Sequence, residues 1–135
     1  MENQNLDINS ITEGKFDKGF IKDCGMELIS YGDGRCKCKI SIEDRHLNPY
    51  GTVHGGVLYA LADTTGGTAA ICAAKTNVVT LTGNMNYIGP ASSKEIVASA
   101  EVIHLGKTTV VVDVMIATLE GKDVAKATMT YYKVI

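Results

Sequence analysis

Several things are scarce in this chain, and each scarcity narrows its nature. Only two prolines occur in 135 residues, Pro49 and Pro90, and each stands beside an expected element boundary. No apolar run approaches the roughly 18 residues that a bilayer-spanning helix needs. The first ten residues, MENQNLDINS, are polar and acidic and lack the charged-then-apolar pattern of a secretory leader, so the expected location is the cytoplasm. Charge of one sign is not concentrated anywhere: 13 basic and 15 acidic side chains are interspersed, with a formal net charge of −2. A nucleic-acid-binding surface, which needs a concentrated basic face, is therefore not expected. Nor is a membrane partner.

Cysteine is present but unpatterned. Cys24, Cys36, Cys38 and Cys72 include no C-x-x-C pair and no neighbouring histidine pair, so neither a zinc site nor another metal site is expected. Cys36 and Cys38 stand two apart in a strand-like run and so share one face. Small buried side chains are the expected role of all four. Repeats, linkers and low-complexity tracts are also absent. With 45% hydrophobic and 21% charged residues, the composition is that of one globular domain.

What is present falls into a clear order. The first fifteen or so residues carry no clear periodicity and read as a loose arm or a short helix; residues 1–20 are assigned to this N-terminal arm, followed by one domain over residues 21–135. MELISY, the turn Gly32-Asp33-Gly34 and RCKCKISIE form a hairpin. In its second arm Cys36, Cys38, Ile40 and Ile42 alternate with Arg35, Lys37, Lys39 and Ser41, the period-two pattern of a half-buried strand. A polar loop, DRHLNPYG, leads to the one long segment rich in alanine and leucine. That segment predicts a helix from about Val53 to Lys75, too apolar to be anything but buried. Gly66 and Gly67 lie within it, either where another backbone approaches or at a kink. Four further strand-like runs follow and predict a meander. The expected fold class is α+β: an antiparallel sheet of about six strands around one central helix.

The polar residues around this helix are the informative ones. Gly51, His54, Gly55 and Gly56 cluster at its start, where unpaired N–H groups and partial positive charge gather. A glycine there lets a ligand carbonyl approach the backbone N–H, the requirement of an oxyanion hole. Asp63 stands alone among Val57, Leu58, Ala60, Leu61 and Ala62, with no companion charge on the helix before Lys75. It is solvated, structurally bonded or functional; a dry carboxylate suits a general base. Asp63 lies eight residues beyond Gly55, about 12 Å further along the axis. One site does not readily use both from one chain. Two antiparallel copies of the helix would bring them together, which predicts a dimer with two composite sites.

The pattern N-x-x-G-x-x-H-G-G-x(6)-D, from Asn48 to Asp63, with NMNYIGPA and HLGKTTVVVDV after it, resembles the hotdog-fold thioesterases of the phenylacetic-acid-degradation type. These form a branch of the 4-hydroxybenzoyl-coenzyme A thioesterase superfamily. The likeness runs from about Cys24 to the end of the chain. It implies the hotdog fold and hydrolysis of acyl-coenzyme A thioesters without a cofactor. It also implies a homodimer, often paired into a homotetramer.

By the same resemblance Asn48 is the loop amide that positions the carbonyl or the water, and Gly55 supplies the polarising N–H. Asp63 is general base or nucleophile. His54 and Gly56 fall in the substrate-binding region, the histidine with an orienting or a structural role. Thr80, with Thr82 as alternate on the same strand face, supports the attacking water. A threonine one turn after the acid, found in some relatives, is replaced here by Gly67. Lys107 and Lys94 fit either solvated turns or contacts to coenzyme A phosphates. Tyr50 and Tyr59 fit an acyl pocket, core packing or an interface. Two other outcomes are a hotdog hydratase or dehydratase and a non-catalytic acyl-coenzyme A binder.

Overall fold

The computed structural model describes residues 14–92 and 94–134. Much of the expected arm therefore lies outside the described residues. A 3-10 turn, Lys15–Asp17, leads into the short helix α1, Gly19–Asp23, and then the hairpin β1, Met26–Gly32, and β2, Arg35–Ser41. A second 3-10 turn, Asp44–His46, precedes the long helix α2, Gly55–Ala74. Four strands complete the chain: β3, Val78–Tyr87; β4, Glu95–Leu105; β5, Thr109–Thr118; and β6, Asp123–Lys133. Phe16, Ile21 and Cys24 pack against the core from the α1 side.

All six strands form one antiparallel sheet in the order β1-β2-β4-β5-β6-β3, and α2 lies across its inner face. This is the hotdog architecture. The four-strand meander expected after the helix is corrected: only β4, β5 and β6 meander, and β3 crosses to the far edge beside β6. The reason lies in packing. Cys36, Cys38 and Ile40 of β2 stand directly opposite Ala100, Ala98 and Ile96 of β4, and all six are buried. That row closes the hairpin onto β4, and α2 delivers β3 to the free side of β6. The two buried sulfurs are 3.8 Å apart. Their hydrogen bond, aided by burial, pushes the Cys36 thiol far above the ordinary range, as an inert core residue requires.

Helix α2 reaches, by length and composition, what a membrane span requires, against the expectation that no apolar run comes near it. Its apolarity has another cause here. Leu58, Leu61, Ala62, Ala69, Ala70 and Ile71 are buried in the core beneath the sheet, and a fully buried side chain such as Leu61 contributes about 1.5–3 kcal/mol. The buried hydroxyls of Thr65 and Thr68 donate to the carbonyls of Leu61 and Thr64 one turn back, so neither is left unpaired. At the C-terminus Lys75 adopts a left-handed conformation, φ 59°, and its N–H closes on the Ile71 carbonyl.

The double glycine also has a specific cause. A Cβ on Gly66 would lie 2.6 Å from the Tyr131 hydroxyl, and one on Gly67 would touch the same ring. What approaches the helix at Gly66 is the phenol of β6 in the same chain, rather than another backbone.

Candidate active site

The approach loop is built by one amide. Asn48 Oδ1 accepts the N–H groups of Tyr50 at 2.9 Å and Thr52 at 3.1 Å, and Nδ2 donates to Thr52 Oγ1 at 2.9 Å. The main chain closes the same turn, with Asn48 N donating to the Thr52 carbonyl. Gly51 takes φ 85° within it, a conformation open to glycine. Beneath the loop, buried His46 accepts from Glu43 N at Nδ1 and donates from Nε2 to the Cys24 carbonyl at 2.7 Å. These bonds fix where α2 begins.

At the helix start the donors are unequally engaged. His54 is the N-cap residue, and its Nδ1 accepts the Gly56 N–H at 2.8 Å. His54 thus has a structural role at the helix start, and the Gly56 N–H is engaged within the chain. The Val57 and Leu58 N–H groups reach the His54 carbonyl. Gly55 N–H alone of this first turn donates to nothing among the described residues. Tyr87 covers this glycine, donating from its hydroxyl to the Gly55 carbonyl at 3.0 Å, and a Cβ there would meet the ring at 3.2 Å. Asn48, Gly55, Leu58, Tyr87 and Ile88 line one open cleft of about 430 Å³.

Two turns further on, Asp63 is held quite differently. Thr80 Oγ1 donates to Asp63 Oδ1 at 2.8 Å, and Oδ2 has no hydrogen bond among the described residues. The half-buried carboxylate is thus oriented through one oxygen and open at the other. Tyr131 donates its hydroxyl to the main-chain carbonyl of Asp63 at 2.9 Å. Burial foremost, and then the Asp63 charge, push the ionisation of Tyr131 far above the ordinary phenol range, so it remains a donor.

Thr82 is not the equivalent of Thr80. A bulge between Thr80 and Thr82 inserts Leu81 without a partner on β6, so Thr80 faces Tyr131 on the inner side while Thr82 faces Thr130 on the outer side. The expectation that both share one face is corrected. Lys107 stands exposed in the turn between β4 and β5. That turn lies where β6 ends and β3 begins, as the Thr109–Tyr132 and Val78–Lys133 pairs show. It is the opposite end of the sheet from Gly55 and Tyr87. Tyr50 is 90% exposed, and Tyr59 packs against the core with its hydroxyl over Gly83.

One chain therefore brings Asn48 to Gly55, and Asp63 to Thr80, but leaves these two pairs apart. Tyr87 and Tyr131 went unread in the sequence. Tyr87 sits within the quoted run NMNYIGPA. Tyr131 carries a weaker signal, that of a tyrosine at a core-facing strand position whose hydroxyl must find a partner.

Comparison with known proteins gives this arrangement its family. Residues 50–125, from the approach loop to the start of β6, match the family model of the Thioesterase superfamily. A 1,4-dihydroxy-2-naphthoyl-CoA hydrolase of Listeria monocytogenes is 31% identical over 103 residues, 73% of this chain and 81% of that protein. Acyl-coenzyme A thioesterase 13 of Homo sapiens is 33% identical over 85 residues, 62% of this chain and 61% of that one. A hypothetical thioesterase of Streptococcus pneumoniae, solved with coenzyme A, superposes with a TM-score of 0.76 at 33% identity, covering 81% of this chain and 88% of its own. The chain belongs to the thioesterase superfamily.

Proposed function

We propose that the protein hydrolyses an acyl- or aryl-coenzyme A thioester to the free acid and coenzyme A, at sites shared between two antiparallel copies of α2. The observation that carries this reading is the Asp63 carboxylate: set in the middle of an apolar helix, clamped at one oxygen by Thr80 and open at the other. The coenzyme A bound to the Streptococcus pneumoniae relative supports the substrate class.

The thioester carbonyl accepts the Gly55 N–H at the positive end of α2. In one route water attacks the carbonyl carbon and gives its proton to Asp63 of the other copy; the carbon–sulfur bond then breaks, and coenzyme A leaves with that proton. In the other, Asp63 attacks directly and the carbon–sulfur bond breaks to expel coenzyme A thiolate. This leaves an anhydride that water hydrolyses to the free acid and the carboxylate, with the released proton going to the thiolate. Asn48 keeps the loop, and with it the cleft, in shape. Lys107 lies toward the Asp63 end of its own chain and suits a phosphate contact for coenzyme A bound from the other copy.

Assembly is supported by β3. It ends the sheet as a ten-residue edge, pairs only with β6 among the described residues, and leaves Val79 and Leu81 about half exposed. Bare apolar edges of this kind recruit another strand. Pairing β3 with its copy sets the two α2 helices antiparallel; pairing of two such dimers gives the tetramer. The four cysteines are free thiols, in keeping with a cytoplasmic location.

The test is thiol release from a panel of aryl-, short- and medium-chain acyl-coenzyme A esters, with Asp63→Ala alongside. Release by the wild type should fall by about 10²–10⁴-fold in the variant. Near-normal turnover by Asp63→Ala would sink the mechanism, and addition of water to crotonyl-coenzyme A without thiol release would make the protein a hydratase.

A further inference from the structure

Tyr131 takes no part in the chemistry above, yet it touches the residue that carries it. Its ring lies at the inner face of β6, 1% exposed, beneath α2. A phenylalanine would fill the same apolar space without burying a hydroxyl, and a buried hydroxyl costs free energy unless it is bonded. The bond it makes goes to the main-chain carbonyl of Asp63 at 2.9 Å. That carbonyl sits in mid-helix, where the α-helical ladder already supplies a donor, so the phenol adds a second. Tyr131 is also the direct cross-strand partner of Thr80. The two neighbours thus grip one residue, Thr80 by its carboxylate and Tyr131 by its backbone. Gly66 admits the grip, since a side chain there would begin 2.6 Å from the phenol oxygen.

We propose that Tyr131 is a positioning residue for catalysis: together with Thr80 it fixes Asp63 at both ends, so that the free carboxylate oxygen keeps its aim. The proposal rests on the reading of Asp63 as the reactive carboxylate. In reactions that depend on aim, a displacement of about 1 Å costs on the order of 100-fold in rate. Loss of one of two restraints is the smaller perturbation.

The experiment is a cycle of four proteins, wild type, Asp63→Asn, Tyr131→Phe and the double variant, followed by thiol release from the best substrate of the panel. Circular dichroism and sedimentation check folding and assembly. In Tyr131→Phe, kcat should fall on the order of 10-fold, with KM within about twofold of wild type, because the hydroxyl orients the attacking group and touches no substrate. In the Asp63→Asn background the same substitution should cause no further loss. A loosened fold would lower both backgrounds in proportion, and that outcome overturns the proposal. So does wild-type kcat in folded Tyr131→Phe, or a change confined to KM. Wild-type turnover in Asp63→Asn instead removes the reading of Asp63 itself, and Tyr131 falls with it. Should Tyr131→Phe fail to fold, Gly66→Ala decides. It keeps the phenol and pushes it away from Asp63, and undiminished kcat there would count against the proposal.

Discussion

The two ends of the Gly55–Asp63 stretch of α2 are built on opposite plans. At the mouth, polar side chains serve the backbone: Asn48 ties its loop, His54 caps Gly56, and the product of this work is one N–H left free on Gly55. At Asp63 the backbone and its neighbours serve a side chain: Thr80 and Tyr131 hold the residue, and the product is one carboxylate oxygen left free. A free N–H stands at one end, and a free carboxylate oxygen at the other. They are about 12 Å apart along the helix axis. A thioesterase needs both within reach of one carbonyl. The contrast is the ground for the proposed site shared between two copies, and it makes each half separately breakable.

The largest effect should come from the base. Asp63→Asn keeps the shape and an acceptor for Thr80 while removing the charge, and kcat should fall about 10²–10⁴-fold in a thiol-release assay. The donor half can be removed almost as cleanly. Proline is tolerated at the first helical position, and His54, with φ −61° and ψ 136°, already has the extended backbone that a following proline demands. Gly55→Pro thus deletes the free N–H within a compatible backbone, and kcat should fall on the order of 10²–10³-fold, the usual cost of an oxyanion donor. Gly55→Ala adds the same Cβ against Tyr87 but keeps the N–H, and should lose far less. Equal losses in the two variants would assign the defect to the displaced tyrosine.

Mixing the two inactive proteins turns the comparison into a count. If each site takes its donor from one copy and its base from the other, a hybrid of Asp63→Asn and Gly55→Pro chains contains one doubly damaged site and one intact site. Random reassociation at equal amounts should then restore about a quarter of wild-type activity. Sites contained within single chains would restore none.

How much of this was legible before folding depends on how local each feature is. The hairpin, the long helix and the anomalous Asp63 all follow from spacing along a few consecutive residues. The place of β3 does not, because it depends on α2 crossing the sheet and on which strand's small side chains fit beside β4. Apolarity misled in another way. Helix α2 is composed like a membrane span although its buried half packs on a sheet, and composition does not distinguish one apolar environment from another. Gly66 announced that something approaches the helix, but its partner Tyr131 lies 65 positions away and is brought there only by the strand order. The hydrogen bond between His54 and Gly56 adds a capping role that their place in the pattern does not show.

The smallest of these effects tests the finest distinction, between two threonines that strand alternation alone makes equivalent. The bulge at Leu81 separates them by a single residue, sending Thr80 to Asp63 and Thr82 to the outer face beside Thr130. Thr80→Val keeps the shape and removes the hydroxyl. A hydrogen bond to a charged group is worth about 1.5–3 kcal/mol, so kcat should drop on the order of 10-fold or somewhat more. Thr82→Val should leave kcat unchanged. If the two substitutions cost the same, the bulge does not persist in the working enzyme, and the clamp on Asp63 loses its basis. If only Thr80 matters, one unpaired residue in an edge strand decides which hydroxyl reaches the base.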